Sequence, residues 1–415
     1  MKLEKISVRD FVREVKSGNI DLEDFVEHVK ENSKNLQKKY NPFITLADKQ
    51  KPKSSGRLSG LPITVKDNIC THGIQTTAGS KILEGYIPPF DATSVSNAKE
   101  EGGFILGKTA MDEFGFGTFS TNCAYGIPKN PHDIERSCGG SSGGAACITA
   151  ASDFPHIALA ESTGGSISAP AAFTGTVGLT PTYGLVSRWG LIDFANSLDK
   201  IGCIGKSVYD VALMLSVISG NDKKDSTSLN VKKKDYTKCL TGKIKGMKIG
   251  VPKEYFEHID DRISKVVWHA IKKLESLGAT YNEVSLPHTK YSIPSYYIIA
   301  VSEASTNLAK YSGIRYGLHK EMKGNFNEYF SSVRTEGFGE EAKRRIILGT
   351  FARMAGYRDA YYLKALQVRT KIIQDFKKVF KKFDVLAAPT MPIVAPKFNE
   401  IEKLSPLQNY MTDIL

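Results

Sequence analysis

The chain has 415 residues, of which 41% are hydrophobic and 24% are charged, and its formal net charge is +12. This is the ordinary composition of a soluble globular protein with a sizeable core. No apolar run approaches the length of a membrane span, and charges occupy the N-terminus where a signal peptide needs apolar residues, so we predict a cytoplasmic protein. The positive charge lies in scattered clusters, which fit solvated faces or an acidic partner such as tRNA.

The N-terminal part of the chain predicts two amphipathic helices. Ser7 and Asp21 are placed as N-caps, each just ahead of a run with helical periodicity. A polar connector then leads into a short apolar run, LPITV, which is typical of a buried strand. We predict an N-terminal helical segment over residues 1–54 and one larger domain over residues 55–415.

The larger domain predicts an α/β fold. Between residues 60 and 220, glycines, small residues and short apolar runs alternate, which indicates buried strands joined by turns and crossover helices. Residues 260–278 and 340–383 predict longer helices, and in the second of these Leu366, Ile373, Phe376 and Phe380 fall near one face. Residues 384–396 predict a further buried strand that is stopped by prolines.

Two glycine-rich stretches carry serines, RSCGGSSGGAAC at 136–147 and IALAESTGGSIS at 157–168. A flexible linker would sit among polar residues, but the first stretch runs directly into AACITAA, which looks buried. A phosphate cradle is better motivated by the glycine-rich turn before a helix, but the sequence has neither GxxxxGK[ST] nor a GxGxxG in its usual context. The third interpretation is a hydrolase, in which glycines let backbone N–H groups converge beside Ser166 as an oxyanion hole.

A serine nucleophile needs a base, and no histidine lies in a telling context. His156 follows a proline in an apolar run, which favours a structural histidine. Lys66 ends the apolar strand LPITV, and it could serve as the base only if burial keeps it neutral; taken alone, a lysine there would more often be a surface residue. The histidines and cysteines form no metal-ligand spacing, so we predict no metal and six reduced thiols.

Three segments together resemble the amidase signature family: LPITVKDN, CGGSSGGAA and STGGSISAPAAFTGTVGLTPTYGLVS. The resemblance implies a single domain with a central mixed, twisted sheet that is covered by helices on both faces. It also implies a Ser–Ser–Lys triad, in which Ser166 is the nucleophile, Ser141 is the bridging serine on a cis peptide bond and Lys66 is the terminal base. The oxyanion hole implied by the same motif uses the N–H groups of Thr163, Gly164 and Gly165.

The flanking segments 106–133, 184–202 and 335–370 resemble, in archaeal style, the A subunits of tRNA-dependent glutamyl/aspartyl amidotransferases. This resemblance implies a glutaminase whose ammonia is used on aminoacyl-tRNA, with B and C subunits as partners and no membrane. ATP and Mg²⁺ are then expected on the B subunit, and no cofactor is expected on this chain. The residues implied to hold the amino-acid head of glutamine are Tyr296, Arg345 and Asp413, which suits an arginine fork for the α-carboxylate and a carboxylate for the α-ammonium group.

Two alternatives stay open at this point. A stand-alone amidase would act on a small amide without partners, and a non-catalytic scaffold would keep the fold but would not need Lys66, Ser141 and Ser166 together. The sequence does not choose between tRNA(Gln) and tRNA(Asn). Because the family pattern continues beyond Leu415, we also expect that the C-terminal part of the family domain is missing from this chain.

Overall fold

The computed structural model describes residues 6–47 and 52–412. Within them the helices are α1 (Val8–Lys16), α2 (Leu22–Tyr40), α3 (Thr93–Glu100), α4 (Gly143–Ala151), α5 (Ser168–Thr174), α6 (Val208–Ile218), α7 (Asp261–Ser276), α8 (Ser292–Asn307), α9 (Phe326–Gly337), α10 (Glu340–Arg353), α11 (Lys364–Val379), α12 (Phe398–Ile401) and α13 (Pro406–Met411). The strands are β1 (Phe43–Leu46), β2 (Pro62–Lys66), β3 (Phe104–Thr109), β4 (Lys129–Asn130), β5 (Asp133–Ser137), β6 (Ile157–Ser162), β7 (Val177–Leu179), β8 (Lys200–Gly205), β9 (Lys248–Pro252), β10 (Thr280–Val284) and β11 (Val385–Leu386). None of the described helices is long and apolar enough to cross a membrane.

The central sheet has six strands in the order β1-β3-β2-β6-β8-β7. The strands β3, β2 and β6 are parallel, whereas β1, β8 and β7 pair antiparallel with their neighbours, so the sheet is mixed as predicted. The side chains of β6 alternate between two hydrophobic clusters. Ile157 and Leu159 lie in the cluster with residues of α1, α3 and α6, whereas Ala158 and Ala160 lie in the cluster with α4. Helices therefore cover both faces of the sheet, as predicted.

The N-terminal segment is packed onto the same core. Ser7 Oγ accepts a hydrogen bond from Asp10 N at 3.1 Å, and Asp21 Oδ1 accepts one from Glu23 N at 2.8 Å, which confirms both predicted N-caps. Phe11 belongs to the main hydrophobic cluster and is fully buried. The segment also supplies β1, which forms the edge of the central sheet beside β3.

A second sheet of three parallel strands, β10-β9-β11, lies apart from the central one and was not predicted. The helix α7 confirms the prediction at 260–278, and its Ile271 packs in a cluster with Ile249 and Val251 of β9. The prediction of a strand over 384–396 is wrong beyond its first residues, because only Val385–Leu386 pairs with β9. The prolines of the following stretch have no N–H group to donate to a sheet.

The prediction of one continuous helix over residues 340–383 is also wrong. The helix α10 ends at Arg353, a π-helical turn covers Asp359–Leu363, and α11 begins at Lys364. Gly356 lies in the break with a φ of +87°, a left-handed conformation that glycine adopts easily and that ends helices. The predicted apolar face of α11 is only partly covered, since Ile373 and Phe380 are 43% and 50% exposed.

Candidate active site

The site forms where the parallel strands β2 and β6 end at the same edge of the central sheet. Val65 lies beside Leu159 in the register of these strands, so the next residues of both strands reach the same edge. Lys66 is the last residue of β2 and is fully buried. Its Nζ donates a hydrogen bond of 2.7 Å to Ser141 Oγ. The structure therefore brings the predicted base and the predicted bridging serine into contact.

The first glycine-rich stretch is a closely packed, hydrogen-bonded part of this site. The Gly140–Ser141 peptide is cis. A Cβ on Gly140 would lie 2.1 Å from Asp112 Oδ2, and one on Gly144 would lie 2.4 Å from a backbone carbonyl oxygen, so both positions need glycine for close packing. The N–H groups of Gly143 and Gly144 donate to Ser120 Oγ and to a backbone carbonyl. These contacts contradict both the linker and the phosphate-cradle interpretation.

The second stretch places Ser166 next to the first. Ser166 lies in the turn between β6 and α5 and is 5% exposed. Its carbonyl oxygen accepts a hydrogen bond of 3.2 Å from Ser142 N, so the two glycine–serine stretches adjoin. Within the described part of the chain, the N–H groups of Gly164 and Gly165 are not used in hydrogen bonds, and both glycines are partly exposed. They are available to an oxyanion.

The residue that the sequence reasoning left without a role is Glu161. Its carboxylate is 1% exposed, and Oε2 accepts hydrogen bonds from Lys66 Nζ at 2.9 Å and from Asn68 Nδ2 at 3.0 Å. Its backbone carbonyl also accepts from Lys66 Nζ at 2.9 Å. A charged residue inside an otherwise apolar buried strand requires a buried partner. The position of Glu161 in such a strand was the one signal in the sequence that could have indicated its contact with Lys66.

Thr163 links Glu161 to a second buried carboxyl group. Thr163 Oγ1 lies 2.9 Å from Glu161 Oε1 and 2.8 Å from Asp199 Oδ1. Asp199 also accepts from the N–H groups of Phe194 and Ala195. Burial, and next the charge of Glu161, raise the pKa of Asp199 to about 8. Burial therefore favours the protonated form of Asp199.

This raised pKa predicts that the free energy of unfolding falls as the pH rises from about 4 to about 8. The folded state keeps the proton of Asp199 that the unfolded state releases near pH 4, so its contribution is present below pH 4 and is lost as the pH rises through about 8. Each pH unit in this window costs up to about 1.4 kcal/mol. In Asp199→Asn, urea unfolding from pH 6 to pH 9 should lack this fall. The exposed Asp359→Asn is the control, and equal pH slopes in wild type and Asp199→Asn would contradict the prediction.

Arg345 is buried in an aromatic cage on the side of the site that α10 provides. It is 2% exposed, and its Nε donates to Glu341 Oε1 at 2.7 Å, one helical turn earlier. Its guanidinium carbon lies 5.0 to 5.7 Å from the centroids of four rings, those of Phe116, Tyr410, Tyr297 and Phe194. Such stacking and pairing fix the plane of the guanidinium group.

The cage of Arg345 is close to Ser141. Gly115 has a φ of +85°, and a Cβ there would lie 3.6 Å from both Phe194 Cδ1 and Ser141 Oγ. One small residue therefore separates Ser141 from the ring on which Arg345 lies. A cavity of about 150 Å³ opens beside Arg345 and is also lined by Thr118, whose carbonyl accepts a hydrogen bond from the residue before Ser141.

The other two predicted glutamine-binding residues have different outcomes. Tyr296 lies on α8, partly buried against the hydrophobic cluster that contains Phe116 and Phe194, and its ring centroid is 5.1 Å from that of Tyr297. Asp413 lies outside the described residues. The sequence reasoning missed Glu341, which carries no motif and is recognisable only once α10 is known to face the site.

His156 is a satisfied structural histidine, as predicted. Its Nε2 lies 2.9 Å from Thr64 Oγ1, and its Nδ1 lies 3.3 Å from Thr149 Oγ1. Burial, and next the charge of Lys206, lower its pKa to about 3. Among residues 6–47 and 52–412, no cluster of three histidine, cysteine, aspartate or glutamate side chains could hold a metal ion.

The buried Lys66 contacts one serine, Ser141, and a second serine, Ser166, lies in the adjoining glycine turn beside unused N–H groups. This is the arrangement of a serine hydrolase that uses lysine in place of histidine. The family model for Amidase matches residues 7–415. The chain belongs to the amidase family.

Within this family, proteins with one shared name are similar to this chain over most of its length. The A subunit of glutamyl-tRNA(Gln) amidotransferase from Carboxydothermus hydrogenoformans is 47% identical over 100% of this chain and 88% of its own length. The protein of the same name from Methanosarcina mazei is 50% identical over 91% of this chain and 80% of its own length. The crystal structure of the Thermotoga maritima protein of this name is 37% identical with a TM-score of 0.83, covering 100% of this chain and 85% of that one.

Proposed function

We propose that the chain is the glutaminase subunit of an aminoacyl-tRNA amidotransferase in the cytoplasm. The observation that carries the proposal is the 2.7 Å hydrogen bond from the buried Nζ of Lys66 to Ser141 Oγ, beside the turn that holds Ser166. The substrate is supported by the relatives at 47% and 50% identity, which are named as A subunits of glutamyl-tRNA(Gln) amidotransferase.

In the proposed reaction, Ser166 Oγ attacks the carbonyl carbon of the glutamine side chain. Its proton passes through Ser141 towards Lys66, and the N–H groups of Thr163, Gly164 and Gly165 stabilise the oxyanion. The intermediate collapses to a γ-glutamyl ester on Ser166, and the relay returns the proton to the departing ammonia. Water then hydrolyses the ester to glutamate.

The ammonia serves a partner in this proposal. The B subunit uses it, with ATP and Mg²⁺ that the B subunit binds, to convert Glu-tRNA(Gln) to Gln-tRNA(Gln) or Asp-tRNA(Asn) to Asn-tRNA(Asn). The C subunit completes the complex. The buried Arg345 supports free glutamine as the substrate, because a fixed guanidinium fork suits an α-carboxylate that a simple amide lacks.

The test measures ammonia release by the full-length protein, alone and with the B and C subunits, ATP and acceptor tRNA. We expect slow release from glutamine alone, because uncoupled hydrolysis wastes the donor, and an increase of roughly ten-fold or more when the partners bind. A glutaminase site should also prefer glutamine over propionamide. Equal rates on both amides, unmoved by the partners, would favour the stand-alone amidase instead.

Replacement of Arg345 by lysine should weaken glutamine use selectively. Lysine keeps the charge but loses the planar fork, so kcat/KM for glutamine should fall roughly 10- to 100-fold, a change of about 1.4 to 2.8 kcal/mol, while that for propionamide changes little. The matched control is the neighbouring Arg344→Lys, whose side chain is 40% exposed. Parallel losses on both amides would show that Arg345 supports the fold rather than the substrate.

A further inference from the structure

The buried carboxylate of Glu161 is not used by the reaction described above. Lys66 Nζ lies between two oxygen atoms, Ser141 Oγ at 2.7 Å and Glu161 Oε2 at 2.9 Å. Both side chains of the ion pair are almost fully buried, at 0% and 1% exposure. A carboxylate in contact with an amine at this depth stabilises the protonated amine, which conflicts with the expectation of a neutral Lys66.

On the other side of Glu161, the hydroxyl group of Thr163 lies between two buried carboxyl groups, those of Glu161 and Asp199. Thr163 Oγ1 is within 2.9 Å of oxygen atoms of both Glu161 and Asp199, but a hydroxyl group has only one proton to donate. The second short contact therefore needs a proton on a carboxyl group. We assign it to Asp199, because Glu161 is the carboxyl group that contacts the Lys66 amine, and because burial raises the pKa of Asp199. With the proton on Asp199, that carboxyl group donates to Thr163 Oγ1, and Thr163 Oγ1 donates to Glu161 Oε1.

We propose that Glu161 holds the proton that is released when Ser166 attacks the amide, with Lys66 as the relay between Ser141 and Glu161. The inference rests on the proposed function and deepens its mechanism. Glu161 touches Lys66 rather than the substrate, so it is a positioning residue of the relay.

The proton of Ser166 reaches Glu161 through linked transfers along the relay. The O–H bond of Ser166 breaks as its Oγ bonds to the carbonyl carbon, and the proton moves to Ser141 Oγ. One proton of Lys66 moves to Glu161 Oε2, which frees the lone pair of Nζ, and Nζ then takes the original proton of Ser141. Lys66 carries three protons before and after, and the negative charge moves from Glu161 to the oxyanion. The reverse transfers deliver the proton to the leaving amide nitrogen, which departs as ammonia.

Few charged groups face this relay among the described residues. Lys66 faces Glu161 from β2, and Asp199 and Lys200 face it from the start of β8. Asp112 faces Lys66 from the segment after β3, and burial raises its pKa to about 6. Glu161 therefore contacts Lys66 directly and reaches Asp199 through Thr163.

Glu161→Gln separates the relay from a neutral-lysine base. The amide keeps the size of the side chain and can still accept a hydrogen bond from Lys66, but it cannot take up a proton. If Glu161 holds the proton, kcat/KM for glutamine should fall roughly 10²-fold, the usual contribution of a positioned proton acceptor. The residual rate should depend more strongly on pH than that of wild type, since the proton of Ser166 then has no carboxylate to receive it. For Glu161→Asp, which keeps a carboxylate, kcat/KM for glutamine should be at least about ten-fold higher than for Glu161→Gln.

The control for these variants is Glu31→Gln, which removes an exposed carboxylate on α2 and should match wild type. A loss of less than ten-fold in Glu161→Gln, or a gain, would overturn the relay, because removal of a negative charge favours a neutral lysine. If the wild-type protein is inactive on glutamine but active on propionamide, the proposed function is wrong and the relay is not affected. The relay is then tested on propionamide with the same variants.

A second measurement needs no change at Glu161. In wild-type protein labelled with ¹³C and ¹⁵N at lysine, the side-chain signal that disappears in Lys66→Met reports the protonation of Lys66. At pH 7 the relay requires an ammonium signal. A neutral amine signal would overturn it, even if Glu161→Gln failed to fold.

Discussion

Ser166→Ala is expected to abolish ammonia release from glutamine. The alanine side chain has no oxygen atom to form the acyl bond, and nucleophile replacements of this kind commonly cost roughly 10⁴- to 10⁶-fold in kcat. The measurement is ammonia release by the full-length protein with its partners, together with mass spectrometry of the acyl-enzyme after rapid acid quench. Wild type should carry one glutamyl group on the peptide that contains Ser166, and the variant should carry none.

The neighbouring Ser168→Ala is the matched control. Ser168 lies at the start of α5, and its hydroxyl donates to the carbonyl of Gly165 at 3.2 Å, so its loss removes one local hydrogen bond from the same loop. We expect at most a several-fold change. An acyl group trapped on Ser141 or Ser142 would reject Ser166 as the nucleophile.

Lys66→Arg is expected to be nearly as damaging as Lys66→Met, with losses of roughly 10³-fold or more. A guanidinium group keeps the positive charge, but it does not give up a proton near neutral pH because its pKa exceeds about 12. The position is also fully buried, so the larger side chain must displace its neighbours. The same result is expected whether Lys66 is the final proton acceptor or passes the proton to Glu161.

Thermal unfolding of both variants shows whether the fold survives. Lys108→Met serves as the comparison, since Lys108 is another fully buried lysine on the adjacent strand and pairs with Asp67 at 3.6 Å. It should lower stability through loss of a buried ion pair, whereas the Lys66 variants should lose activity at temperatures where they remain folded. Substantial activity in Lys66→Arg would mean that Lys66 supplies only a positive charge.

Local sequence signals predicted the elements that depend on near neighbours. The caps at Ser7 and Asp21 and the helix α7 were predicted because capping and helical periodicity involve residues three or four apart. The break between α10 and α11 was missed at Gly356, because a single glycine inside a helical pattern is often tolerated.

The sequence by itself determined which segments carry the serines and the lysine, and it pointed to a buried mixed sheet. Only the tertiary structure decided that Lys66 contacts Glu161 as well as Ser141, and that Asp199 lies behind Thr163. These pairings join positions up to 95 residues apart, so no local pattern encodes them. Whether a buried carboxyl group is ionised depends on the partners that the fold places within about 3 Å, and those partners exist only after the strands have assembled.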